Sequence, residues 1–142
     1  MTKIVRGYTA GAFDMFHIGH LKILREAKLY CSELIVGVTT DELLMDTKKL
    51  KPIIPFEERI EIIRSIKYVD EAIPQSVSDK TQAYMRLKFH EIYVGDDWKG
   101  SETWNNYELI FNSMGVKVRY FPYTQHISSS KLRDLLKQYG SI

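Results

Sequence analysis

A chain of 142 residues, 44% hydrophobic and 27% charged, is long enough to bury a core without covalent staples, and its single cysteine, Cys31, excludes an intrachain disulfide. A formal net charge of +2 is too small to argue for a nucleic-acid or anionic-membrane partner, and no run approaches the roughly 20 apolar residues that cross a bilayer. Residues 1–10 lack the apolar centre and small-residue cleavage site of a secretory signal, so one cytoplasmic domain over residues 1–142 is expected.

Taken in chain order, residues 3–9 (KIVRGYT) form an apolar, β-branched run that reads as a first strand. A helical pattern follows, with Leu21, Leu24, Lys28 and Cys31 on one face and Ile23 and Ala27 beside them. Residues 33–40 (ELIVGVTT) give a second strand. Pro55 suits the first turn of the next helix, where its missing N–H has no partner to lose, and Ile60, Ile63 and Ile66 line that helix's buried side. Residues 68–74 (YVDEAIP) read as a third strand, and Ser78 or Asp79 caps a helix running through Met85 and Leu87. Residues 91–95 (EIYVG) are a fourth strand; Leu109, Ile110 and Met114 mark a helix that stops near Gly115. Residues 116–121 (VKVRYF) are a fifth, before a last helix, KLRDLLKQYG, that Ser128, Ser129 or Ser130 caps and Gly140 ends. Near-continuous apolar strands alternating with helices predict an α/β, Rossmann-like doubly wound parallel sheet of about five strands with helices on both faces. Ligands of such sheets bind at the carboxyl ends of the strands.

The unusual polar residues fall at those ends. His17 and His20, in AFDMFHIGH, lie between the first strand and the first helix, three apart and so on one helical face. Gly19 between them lacks a β-carbon, which lets a bulky anion approach the backbone, and the first-turn N–H groups favour phosphate. Imidazole donors there can stabilise charge that shifts during phosphoryl chemistry. Zinc ligation would need further ligands, and only His90, His126 and Cys31 remain, at no metal-like spacing. A pair of surface capping histidines is the plain alternative for the string taken alone.

Four stretches carry a family resemblance. GAFDMFHIGH resembles the G-T-F-D-x-x-H-x-G-H signature of the nucleotidyltransferases that include the cytidylyltransferases. KYVDE (67–71) is similar to their R/K-Y/W-V-D-E motif. GDDWKG (95–100) is similar to that of the bacterial glycerol-3-phosphate cytidylyltransferases, and YTQHISSSKLR (123–133) sits where the family has R-T-E-G-I-S-T-S/T. The resemblance implies direct transfer, in which a phosphate monoester oxygen attacks the α-phosphorus of CTP and pyrophosphate leaves. It implies Mg²⁺ carried on the triphosphate, a small phosphorylated alcohol as acceptor, and a homodimer. Position by position, His17 and His20 would contact the triphosphate, with Ala12, Phe13, Asp14, Gly19, Gly95 and Asp97 beside the nucleotide. The lysine loop TKKLKP (47–52) would supply Lys49, for catalysis and the acceptor, and Lys51, for the nucleotide. Arg59, Lys67 and Lys80 would meet the acceptor. Tyr123, Ile127, Ser128, Ser129 and Ser130 would wrap the triphosphate, while Trp98 reads equally as packing anchor or ligand contact.

The chain departs from the pattern at Ala12 for threonine, Tyr123 for arginine, Gln125 for glutamate and His126 for glycine. Tyrosine cannot reproduce the planar two-pronged phosphate contact of arginine. Adenylyl transfer from ATP, as in relatives that build FAD or activate sugar phosphates, and a nucleotide-binding module without activity are the alternatives.

Overall fold

The apolar runs form five parallel strands, β1 (Arg6–Gly11), β2 (Glu33–Thr39), β3 (Glu71–Gln75), β4 (Glu91–Gly95) and β5 (Lys117–Phe121), in the order β3-β2-β1-β4-β5. The structure is a computed structural model describing residues 3–122, 124 and 126–140. The helices are α1 (Ile18–Tyr30), α2 (Asp41–Lys48), α3 (Phe56–Arg64), α4 (Lys80–Leu87), α5 (Glu102–Ser113) and α6 (Ser129–Gln138), with a 3-10 turn at Asp96–Trp98. This is the expected α/β architecture. None of the described helices is long and apolar enough to cross a membrane.

Interior strand β2 is apolar on both faces because both are covered. Leu24 and Ala27 of α1 and Ile60 and Ile63 of α3 pack on one side with Leu34, Val36 and Val38. Trp104 and Phe111 of α5 pack on the other with Tyr8, Ile35, Phe89 and Ile92. Burial of Leu24, Ile63 and Phe111, all fully covered, contributes roughly 1.5–3 kcal/mol apiece.

Several boundaries differ from the sequence reading. The first strand begins at Arg6 and the third at Glu71. Before β3, Val69 N–H closes a turn onto Ile66, and the Asp70 carboxylate accepts from Leu34 N (2.7 Å) and Lys28 Nζ (2.6 Å). That part of KYVDE therefore stitches the amino edge of the sheet. Helix α2, which the apolar pattern does not announce, is set by Thr40 accepting from Leu43 N and by Asp41 and Glu42 in its first turn. In α5 the inward-facing stripe is buried Trp104 and Phe111 with half-buried Tyr107 between them, three and four residues apart, whereas Leu109 is 72% exposed and Ile110 and Met114 also face out. Met85 of α4 likewise faces solvent.

A crevice follows from strand register. β1 pairs with β2 as far as Gly11↔Val38, but with β4 only to Tyr8↔Ile92. Thr9 Oγ1 donates to Tyr93 O (3.0 Å), and the strands then part at the point where the sheet's connections reverse direction, the usual ligand position in such folds.

Arg59, expected at the acceptor, instead braces the loops around this crevice. Its side chain is wholly buried: Nε donates to Ile54 O (2.8 Å), Nη1 to Ala12 O (2.7 Å) and Thr39 O (2.8 Å), and Nη2 to Asp41 (2.6 Å). Arg59→Met should destabilise the fold by about 3 kcal/mol, since carbonyls and a carboxylate lose their donor together. Urea unfolding monitored by circular dichroism measures it; an unchanged midpoint would contradict the bracing role.

Candidate active site

The loop leaving β1 is held by one carboxylate. Asp14, 2% exposed, accepts from Ile53 N (2.8 Å), Ile54 N (2.8 Å) and Arg133 Nη2 (2.5 Å), while its carbonyl accepts from Ser129 Oγ (2.5 Å). The loop needs such a hold because Phe13 and Met15 both take left-handed backbone, with φ of 53° and 51°. Phe13 turns its ring into the core and leaves its backbone at the crevice.

Just beyond, the two histidines cap α1. His17 Nδ1 accepts from Gly19 N (3.0 Å), and His20 Nδ1 accepts from the His17 N–H (3.2 Å), a reciprocal capping box made of imidazoles. The rings stack 3.9 Å apart. A β-carbon on Gly19 would lie 2.8 Å from the His17 ring and 3.4 Å from Thr124 Cβ. Gly19 thus makes room for the imidazole, and its N–H is already engaged, so it does not provide the open backbone approach read from the sequence.

Both histidines are held neutral at ordinary pH. Burial, then neighbouring His17, lowers His20 to about 3 despite Asp14, and burial, then His126, lowers His17. With each Nδ1 accepting from backbone, the neutral ring carries its proton on Nε2. Among the described residues His17 Nε2 has no hydrogen-bond partner although it is buried, a donor waiting for an acceptor.

His20 forms part of the wall of a cleft of about 520 Å³ at the β1–β4 crevice. Ala12, Phe13, Gly95, Asp97, Lys80 and Ser129, all named from the sequence, line the same cleft, as does Trp98. A β-carbon on Gly95 would lie 2.6 Å from Asp97 Oδ1, so glycine there leaves the carboxylate its place. Lys80 is drawn below its ordinary pKa by burial and then by Lys48, which sets two ammonium groups near each other on one wall.

Other expected residues stand elsewhere. Lys49 is the left-handed C-cap of α2 and Lys51 is exposed; the lysine of this stretch that lines the cleft is Lys48, one residue earlier, because α2 carries it there. Lys67 lies over the Tyr68 ring just before β3, at the sheet's amino edge and away from the cleft. Ser128 caps α6, accepting from Lys131 N (3.1 Å); Ile127 is half-buried, Ser130 exposed, and neither lines the cleft. Tyr123 and Gln125 lie outside the described residues. The sequence reading passed over Lys48, Gln75, Ser78, Trp104 and Tyr107, all cleft residues. A polar run after each strand was the available signal for Gln75 and Ser78.

Sheet order and a cleft supplied with imidazole and ammonium donors place this molecule among the nucleotidyltransferase-type α/β folds. Residues 8–135 match the family described as cytidylyltransferase-like, and the chain belongs to that family. It is 33% identical over 135 residues to glycerol-3-phosphate cytidylyltransferase of Bacillus subtilis, covering 94% of this chain and 96% of the relative. It is 36% identical over 134 residues to FAD synthase of Archaeoglobus fulgidus, covering 92% and 96%. Among solved structures, a lipopolysaccharide core biosynthesis protein from Thermoplasma volcanium superposes with a TM-score of 0.73 at 29% identity, over 86% of this chain and 100% of the other.

The lowered His20 value sets a pH dependence. Between the ordinary 6.5 and about 3, the unfolded chain binds a proton that the folded chain refuses, so stability is lost as pH falls through that window, by up to about 1.4 kcal/mol per unit. Urea unfolding at pH 7.5 and at pH 5 should show the loss, and His20→Asn should flatten it. An equal slope in the variant would show that other groups carry the effect.

Proposed function

We propose that the chain transfers a cytidylyl group from CTP to a small phosphate monoester, glycerol 3-phosphate or a related alcohol phosphate, releasing pyrophosphate. A phosphate oxygen of the acceptor forms a bond to the α-phosphorus as the bond to the β-phosphate bridging oxygen breaks; the electron pair leaves with pyrophosphate. The observation carrying this reading is the stacked His17–His20 pair, whose Nδ1 atoms are consumed by backbone N–H groups, leaving Nε2–H as the donor on each ring, with His20 on the cleft wall and His17 Nε2 buried without a partner among the described residues. Such donors stabilise charge that moves onto phosphate oxygens in the transition state without repelling Mg²⁺. Lys48 and Lys80 supply the full positive charge needed to bring two anions together. The similarity to a glycerol-3-phosphate cytidylyltransferase over nearly both chains supports CTP and an alcohol phosphate.

Mg²⁺ enters on the triphosphate. Among the described residues no three His, Cys, Asp or Glu side chains gather as a cage, and Asp97 is the one carboxylate lining the cleft. That donor set fits an ion arriving with its nucleotide, whose charge the ion offsets. The comparable similarity to an FAD synthase favours a second reading, adenylyl transfer from ATP.

A matrix of CTP and ATP against glycerol 3-phosphate, ethanolamine phosphate and sugar phosphates, read as pyrophosphate release, separates the two. Turnover with CTP supports the first reading; turnover with ATP alone replaces it with the second; nucleotide binding without turnover makes the chain a binding module. In the productive pair, His17→Ala should leave unfolding unchanged within about 1 kcal/mol and reduce turnover by roughly two to three orders of magnitude.

A further inference from the structure

The cleft that His20 lines contains a second residue, Tyr107, that neither the motifs nor the reaction scheme assigns. Tyr107, half-buried on the inward-facing stripe of α5, stacks on Phe111 (ring centroids 5.8 Å apart) and meets Trp104 at a tilt (5.0 Å), so its ring is held by two neighbours. Its hydroxyl oxygen accepts from the backbone N–H of Lys80, at the first turn of α4 (3.2 Å). Asp79 takes the next amide, from Thr81 (2.9 Å), and the Lys80 ammonium rests on Ser78 O (3.2 Å). The start of α4 is therefore positioned by Tyr107 from a different helix.

A phenol both accepts and donates. Here the accepting role is filled by Lys80, and among the described residues the hydroxyl hydrogen has no acceptor, while Tyr107, Lys80, Lys48 and Ser78 all line the cleft. An unspent O–H in a cleft whose lining also carries two ammonium groups and a serine suits an anion better than a cation or an apolar body. We propose that Tyr107 is a further acceptor-binding residue, donating its hydroxyl hydrogen to the phosphate of the monoester held between Lys48 and Lys80. This rests on the cytidylyl-transfer reading for the identity of the ligand, but the seat itself is a property of the cleft. Lys80, lowered by burial and by Lys48, gains in ionisation when a phosphate dianion arrives.

Both tryptophans of the chain, Trp98 and Trp104, line the cleft, so intrinsic fluorescence reports on its occupancy. The test uses the full chain, as wild type and as Tyr107→Phe, which keeps the ring stack and removes only the hydroxyl. Inorganic phosphate is titrated with CTP already bound, and CTP is titrated alone. Loss of a hydrogen bond to a charged group should weaken phosphate about tenfold or more in the variant, with CTP affinity changed less than twofold. In turnover assays the acceptor KM should rise by a similar factor with kcat nearly kept. Equal phosphate affinity in the two proteins, no phosphate binding by the wild type, or parallel weakening of phosphate and CTP would overturn the proposal, the last by making Tyr107 a support of the whole cleft. If the wild type ignores CTP yet its response to phosphate alone is weakened tenfold by Tyr107→Phe, the nucleotide assignment fails and the phosphate seat stands.

Discussion

The buried Asp14 carboxylate is the constraint on which the site depends. One side chain fixes the loop after β1, the segment at Ile53 and Ile54, and α6 through Arg133, so three stretches distant in sequence meet at one anion. Left-handed backbone at Phe13 and Met15 costs of the order of 1–3 kcal/mol each, and charge-assisted hydrogen bonds to Asp14 are of the size needed to offset it. Arg59 repeats the device one layer out, gathering carbonyls from β2, the β1 loop and the segment before α3. The histidines stand on this framework, and their geometry is inherited from it.

The cleft divides its electrostatic work. The imidazoles are kept neutral first by burial, then by His126 acting on His17 and His17 on His20, so they act as oriented dipoles. Net positive charge comes from Lys48 and Lys80, which line the same cleft as His20. A rigid donor serves best where charge moves during reaction, and a mobile ammonium where an anion must be captured from water. The ring stack that sets the imidazoles also demands glycine at residue 19, which explains the H-x-G-H spacing by packing.

Strands and sheet order were legible because strands covered on both faces must be apolar throughout, a pattern with few rivals. The same rule misplaced the first turn of β3, since Val69 is apolar while serving a turn. Helix α2 escaped notice because only Leu44 of its eight residues is buried. In α5 the apolar Leu109 and Ile110 drew attention away from an aromatic stripe whose polar tips make tyrosine and tryptophan look like surface. At the site, residues whose place at the cleft is set within one loop, such as His20, Gly95 and Asp97, were readable from motif context. Lys48 in place of Lys49 turned on where a helix ends, and Arg59 and Tyr107 on contacts 47 and 27 residues away along the chain.

The parting of β1 from β4 after Tyr8↔Ile92 also bears on how such a protein changes over generations. Along the gap the two inner strands present peptide groups to one another's ligand instead of to one another. A ligand lodged there would be met by amides and carbonyls, which every amino acid shares. Point substitutions then have little purchase on that preference, and altering it calls for an inserted or deleted residue that resets the spread of the strands.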